Sequence, residues 1–362
     1  MNYYMPTKII QDKDCVVKNS SEIKSFGELC LIITGHNSSK RNGSLDDVKI
    51  ALDQENIEYF IFDEVEENPS KETVQKIVSL YKSKNIDFLI GVGGGSAIDT
   101  AKAVSLLLKN VNTVVSDIFV DGNLDYLPLL AIPTTAGTGS ETTPYSIITD
   151  KDMKTKRGIA TKVFPVLAFL DAKYLLDTPI NITINTAIDT LAHLVEGYLS
   201  TNSNALSIIF AEYGLHLFSE YKSNLINGNF PYEIREKLIL ASTIAGILIS
   251  QSGTSLPHGM SYPLTYFHNV PHGKGCGILL AGYLNLYEKS SKSKVDTVIS
   301  ALGFDSISEF KVFIDALYPD KVALSKVEVS DYSANMFNNK EKLKNHPLEV
   351  TLEDIEDIYK SL

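Results

Sequence analysis

Two segments of the chain carry side chains that bind metal ions. Asp189 and His193 lie four residues apart in Asp189-Thr-Leu-Ala-His193, and His258 and His272 bracket the run HGMSYPLTYFHNVPHG. In a helix, positions i and i+4 share a face one turn apart, so the first pair can reach a single ion. Ile184, Ile188, Leu191, Leu194, Val195 and Leu199 recur mainly at spacings of three and four, with no Pro or Gly before Gly197, which predicts that helix. One carboxylate and three imidazoles suit Zn²⁺, Fe²⁺, Co²⁺ or Ni²⁺, whereas Mg²⁺ and Ca²⁺ prefer all-oxygen shells. Taken alone, an Asp and a His at this spacing are more often a surface pair or a core histidine.

Elements that would position these residues follow from the apolar pattern. Leu29 to Thr34, Glu58 to Phe62, Phe88 to Val92 and Leu129 to Ile132 are continuous apolar runs, alternating with helical patterns from Leu45 to Glu55 and Lys71 to Lys84. That order predicts a doubly wound, mainly parallel sheet covered on both faces. After about Asp177 strand signals fade, and long helical patterns cover 184–200, 205–220 and 234–250. The expected division is an α/β nucleotide-binding domain over 1–177 and an all-helical domain over 178–362, hinged near Leu176-Asp-Thr-Pro-Ile-Asn181.

Two glycine-rich turns follow strands of the first half: Gly93-Gly94-Gly95-Ser96-Ala-Ile-Asp99-Thr100-Ala-Lys102, and Pro133-Thr134-Thr135-Ala-Gly137-Thr138-Gly139-Ser140-Glu141. A helix opening on glycines offers free N–H groups and a positive dipole end to a pyrophosphate. The second turn, rich in hydroxyls, suits a ribose and phosphate or a helix cap. The G-x-G-x-x-G fingerprint is absent, and each turn alone is equally an ordinary strand-to-helix connection.

The 362 residues suffice for two ordinary cores, with 44% hydrophobic residues. There is no apolar run of about 18 residues and no secretory pattern at the start, so a soluble, cytoplasmic protein without membrane contact is expected. Cys15, Cys30 and Cys276 are widely spaced without C-x-x-C, and they read as reduced buried thiols rather than a disulfide framework or a cysteine metal site. A formal net charge of −11 without an extended basic cluster excludes a nucleic-acid surface and leaves small molecules as partners.

Together, GGGSAIDTAK, PTTAGTGSE, D-x-x-x-H and the paired His258 and His272 resemble the group III, iron-containing alcohol dehydrogenases over nearly the whole chain. The resemblance implies a dinucleotide-binding α/β domain, an all-helical domain and an active site in the cleft between them. It places a divalent metal, Fe²⁺ foremost, on Asp189, His193, His258 and His272. Gly94, Gly95 and Ser96 would hold the pyrophosphate with Asp99 close by, while Thr134, Thr135 and Ser140 would line the nicotinamide side and Lys156 would lie near the cofactor. A homo-oligomer, a dimer in particular, is implied as well. The expected reaction is reversible reduction of an aldehyde to a primary alcohol, with the metal as Lewis acid and nicotinamide C4 as hydride donor.

Many relatives carry H-G-M-A-H-P where this chain reads His258-Gly-Met-Ser-Tyr262-Pro263. Tyr262 thus replaces a histidine thought to relay the alcohol proton, and a phenol is the poorer base at neutral pH. The runs Ser261-Tyr-Pro-Leu-Thr265 and Val270-Pro-His-Gly273 resemble the phosphonoacetaldehyde reductase branch, whose product is 2-hydroxyethylphosphonate. His268, Lys274 and Arg157 are candidates for meeting such an anion, though each is more often an ordinary surface or core residue. His36, His216 and His346 have no comparable setting. The turn Gly35-His36-Asn37-Ser38-Ser39-Lys40-Arg41 lacks an acid for a ribose 2′-hydroxyl, so Gly35 and Ser38 favour NADP(H) modestly over NAD(H). Alternatives are a short-chain alcohol, diol, butanol or lactaldehyde dehydrogenase and, ranked lower, a lyase like dehydroquinate synthase, for which a Glu/His/His metal set is expected. A catalytically inactive binding protein ranks lowest, because no ligand or glycine turn is missing.

Overall fold

The computed structural model describes residues 3–362. Two compact units emerge: one comprises Met5–Thr178 with Pro231–Ile239, the other Pro179–Phe230 with Leu240–Leu362 and with Tyr3 and Tyr4. The excursion of 231–239 into the first unit differs from a single cut at 177/178. Within this segment Arg235, only 3% exposed, donates to the Thr178 carbonyl at 3.0 Å.

The first unit is built on strands β1 (Lys8–Gln11), β2 (Leu29–Gly35), β3 (Glu58–Val65), β4 (Phe88–Gly93), β5 (Leu129–Pro133) and β8 (Leu167–Leu170). They form one parallel sheet in the order β1-β8-β5-β4-β2-β3. β4, β5 and β8 are buried along their whole length because both faces are covered, which is why their sequences are continuous apolar runs. Two four-residue strands went unread in the sequence: β1, at the sheet edge with Lys8 and Gln11 exposed, and β8, an apolar run too short to be told from a helix segment by periodicity. A separate antiparallel hairpin joins β6 (Ile147–Asp150) to β7 (Thr155–Gly158).

Sheet topology positions the glycine turns. From β2 the chain moves outward to β3 and returns to β4 on the other side of β2, so the winding direction reverses between β2 and β4. Such reversal points leave a ligand crevice at the carboxyl ends of the strands. Thr34 pairs with Val92 and Gly93 with Pro133, so the turns after β2, β4 and β5 emerge side by side.

The second unit is helical. Its long members include Ile180–Leu199, Ala205–Asn227, Leu256–His268 and His272–Glu288, with the later part of Tyr232–Ser252. No single described helix is long and apolar enough to cross a membrane.

Candidate functional site

Asp189 and His193 sit on the Ile180–Leu199 helix as their spacing predicts, buried to 4% and 5% exposure. His258 lies in the first turns of Leu256–His268, and His272 opens His272–Glu288. Gly273 and Gly277 let this last helix meet the Asp189 helix closely. A Cβ at Gly273 would overlap the Asn185 carbonyl at 1.8 Å, and one at Gly277 would lie 2.2 Å from Ile188. The glycine after His272 thus sets the distance between the two ligand-bearing helices.

The donor atoms of Asp189, His258, His272 and Cys276 all lie within 4.8 Å of one another. Asp189 Oδ1 is 3.5 Å from His258 Nε2 and 3.7 Å from His272 Nε2. Bonds of about 2.1 Å in a tetrahedral shell would put donors roughly 3.4 Å apart, so a metal fits. His193 is not one of these four, but its ring stacks on that of His258, centroids 4.4 Å apart. Buried Asp189 Oδ1 and His258 Nε2 have no hydrogen-bond partner among the described residues. Buried polar atoms are normally paired, and orphans facing each other call for a cation.

Outer contacts aim the imidazoles. Buried Glu196, one turn beyond His193, takes the His258 Nδ1 hydrogen through Oε1 and the Ser255 amide through Oε2. That leaves His258 Nε2 to face the cluster as an acceptor. Ser261 Oγ donates to the His258 carbonyl at 2.9 Å and lies 3.3 Å from His272 Nδ1, a matching arrangement for the second ring. Burial pushes the Asp189 carboxyl up, but His193, His272 and His258 more than reverse this and hold it well below the usual carboxylate range. For His258, burial opposes the charged ring, yet Cys276, Glu196 and Asp189 outweigh it and raise its pKa. The cluster therefore favours positive charge, which a divalent ion would supply in place of the proton.

The glycine turns of the first unit are tied together from within. A Cβ at Gly95 would lie 2.7 Å from Thr138 and one at Gly94 3.0 Å from Thr135, so these glycines admit the second turn as well as any ligand. No side chain caps the Gly95–Lys109 helix, which leaves its first N–H groups for an anion. Asp99 accepts from Ser140 Oγ at 2.5 Å and from the Ile147 amide at 2.9 Å. Fully buried Lys102 donates to the carbonyls of Ser140, Thr143 and Tyr145 and to Ser140 Oγ, at 2.7–2.9 Å. Burial lowers the Lys102 pKa to about 8 against the pull of Asp99 and Glu141. Asp99 and Ser140 thus brace the turns, whereas Thr134 Oγ1 is buried without a partner and is the better candidate for a ligand. Ser96 Oγ accepts from the Asn68 amide at 3.3 Å, and Lys156 on β7 donates to Asn68 Oδ1 at 2.7 Å, which brings Lys156 close to the first turn. Gly35 ends β2, and Ser38 is exposed beyond it.

Other sequence candidates divide. Tyr262 stacks against His272, centroids 6.0 Å apart, with Lys342 Nζ 5.9 Å from its ring. His268 instead engages Tyr332 and Glu328, at 3.1 and 3.2 Å. Arg157 pairs with Asp150 in the β6–β7 hairpin, and Lys274 donates to the Asp320 carbonyl. Lys40 is paired with Asp63 of β3, so an acid does stand beside the turn after β2 although none is near it in sequence. His216 pairs with Glu220 on the surface and His346 is buried between Tyr283 and Tyr287. Sequence reasoning missed Glu196, Cys276 and the bracing role of Lys102. Cys276 had a signal, since His272 and Cys276 are four residues apart on one helix.

The chain matches family models over nearly its whole length: iron-containing alcohol dehydrogenase over residues 6–172, and Fe-containing alcohol dehydrogenase family, C-terminal, over 183–362. A crystal structure of an iron-containing alcohol dehydrogenase from Thermotoga maritima is 42% identical, with a TM-score of 0.93 over 99% of this chain and 98% of that one. A probable NADH-dependent butanol dehydrogenase of Bacillus subtilis is 31% identical over 89% of this chain and 88% of its own. The structure of a sulfoacetaldehyde reductase from Bifidobacterium kashiwanohense, in complex with NAD⁺, is 25% identical with a TM-score of 0.88 over 99% of this chain and 97% of that one. By its two matched halves and its parallel sheet followed by a helical unit, the chain belongs to the iron-containing alcohol dehydrogenase family.

Proposed function

We propose that this protein reduces small aldehydes to primary alcohols, and oxidises them in reverse, with a nicotinamide cofactor and a divalent ion held by Asp189, His193, His258 and His272. The observation that carries the proposal is the facing pair of buried, unpartnered atoms, Asp189 Oδ1 and His258 Nε2. When bound, the ion polarises a carbonyl oxygen and offsets the charge that develops on it. Fe²⁺ leads, with Zn²⁺, Co²⁺ and Ni²⁺ as alternatives. Ionised Asp189 lowers the net charge of the site, and Glu196 holds His258 in the tautomer that leaves Nε2 free to bind. Tyr262, against His272, is assigned transfer of the product proton. The N–H groups opening the Gly95–Lys109 helix hold the cofactor phosphates, with Gly94, Gly95 and Ser96, and Thr134 lines the ring side. NADP(H) remains the inferred preference, tempered by Asp63 neutralising Lys40 and by the NADH dependence named for the butanol dehydrogenase relative.

A second reading concerns an anionic substrate, phosphonoacetaldehyde. It is supported by the Ser261–Thr265 run and by the likeness to a reductase named for sulfoacetaldehyde. Lys342, which donates to Thr254 Oγ1 and lies 5.9 Å from the Tyr262 ring, is the cation assigned to meet the anion, because its place beside Tyr262 is nearer the cluster than the pairings of His268.

Steady-state reduction of butyraldehyde, lactaldehyde and phosphonoacetaldehyde, with NADPH and NADH after Fe²⁺ or Zn²⁺ reconstitution, tests both readings. Turnover is expected to fall at least 10²–10³-fold, the rough scale of lost oxyanion stabilisation, in His258→Ala and His272→Ala. Undiminished turnover in those variants would sink the metal reading. Equal kcat/KM for phosphonoacetaldehyde and an uncharged aldehyde of similar size removes the second reading alone.

A further inference from the structure

We infer that Cys276 is a thiolate ligand of the same ion, making this a mixed oxygen, nitrogen and sulfur centre. The inference rests on the metal-centre reading above and deepens it.

Four observations point the same way. Cys276 is fully buried, and its Sγ belongs to the set whose donors all lie within 4.8 Å of one another. His272 and Cys276 are an i, i+4 pair on one helix, as Asp189 and His193 are on another, so each helix presents two donors on one face. Sγ stands 3.8 Å from His272 Nε2, and bonds of about 2.3 Å to sulfur and 2.1 Å to nitrogen would set that separation at roughly 3.6 Å. Finally, the unpartnered atoms of Asp189 and His258 belong to this same set, so the cysteine does not stand alone.

A sulfur donor has a chemical consequence. Thiolate softens the set and shifts selectivity toward zinc relative to an all-oxygen-and-nitrogen shell. It also removes one positive charge from the loaded site, because the thiol proton leaves when the metal binds. Ser261 Oγ, 3.4 Å from Sγ, ties the sulfur to the residue that also contacts His272.

Anaerobic titration of the metal-free, full-length protein with Co²⁺ tests this by absorption rather than by turnover. Bound Co²⁺ gives visible ligand-field bands, and a sulfur ligand adds a near-ultraviolet thiolate-to-cobalt charge-transfer band. The expected result is both in the native protein. In Cys276→Ser and Cys276→Ala the charge-transfer band is lost, the visible bands persist, and Co²⁺ affinity weakens by at least roughly 10-fold, the lower end for loss of an outer contact. Cys15→Ala retains the charge-transfer band. Visible bands without charge transfer in the native protein overturn the cysteine inference and leave the metal centre standing. Absence of any saturable Co²⁺ binding overturns both. Because the native spectrum decides, misfolding of a variant does not rescue the idea.

Discussion

The network around Lys102 and the cluster around Asp189 bury charge in opposite ways. Lys102 is enclosed by oxygens of Ser140, Thr143 and Tyr145, and Asp99 beside it accepts from Ser140 and Ile147. Each charge there finds its partners inside the fold. In the helical unit, by contrast, Asp189 Oδ1 and His258 Nε2 face each other without a hydrogen bond. Both sites are built from buried polar groups, but only the second turns two atoms toward each other that find no hydrogen-bond partner among the described residues. Burial and an unusual pKa are common to the two; satisfaction separates a brace from a binding site.

Breaking the brace should have the largest effect. Lys102→Met leaves four or more buried oxygens without their donor and Asp99 without its neighbouring cation, and is expected to destabilise the fold by about 3–5 kcal/mol. Urea unfolding at neutral pH measures it. A midpoint within error of the native one would erase the distinction between the sites.

His346 offers an intermediate case: a buried imidazole whose Nε2 also lacks a partner among the described residues, but which sits between tyrosine rings rather than carboxylates. Burial lowers its pKa to about 4, with only a weak opposing pull from Asp354. The unfolded chain therefore takes up its proton first. The stability contributed is complete above the unfolded value near pH 6.5 and is lost as pH falls through about 4, a change of about 3 kcal/mol. In His346→Phe this part of the slope between pH 6.5 and 4 should flatten. An unchanged slope assigns the acid sensitivity elsewhere.

The smallest effect sharpens the cluster itself. Glu196→Gln keeps the size of the side chain but weakens its hold on the His258 Nδ1 hydrogen, and metal affinity is expected to fall roughly 10–100-fold with little change in fold. Competition with a chelator reads the affinity, and circular dichroism checks the fold. Identical affinity would show that His258 needs no outer support.

Much of this was legible from the chain. Ile184 to Leu199 announced a helix through its period, and that period put Asp189 and His193 on one face. β4 and β5 announced themselves as uninterrupted apolar runs, closed by Gly93 and Pro133. What escaped was short or distant. β1 has only two apolar residues, and β8 is a four-residue apolar run that periodicity alone does not assign. Glu196 reaches His258 across 62 positions, and Asp63 reaches Lys40 from a neighbouring strand. Residues 231–239 belong to the sheet unit, and there Arg235 donates to the Thr178 carbonyl from 57 positions away.

By itself, then, the sequence determined the types of donor available, their helical spacing, and the glycine turns at strand ends, because local periodicity and backbone freedom are written residue by residue. Tertiary structure alone decided which atoms remain unsatisfied. Asp99 and Asp189 are both aspartates in largely apolar helices, yet one is answered by Ser140 and Ile147 and the other by imidazoles left with an open side. That difference depends on which distant groups folding brings within about 3 Å, and hydrogen-bond reach has no signature along the chain.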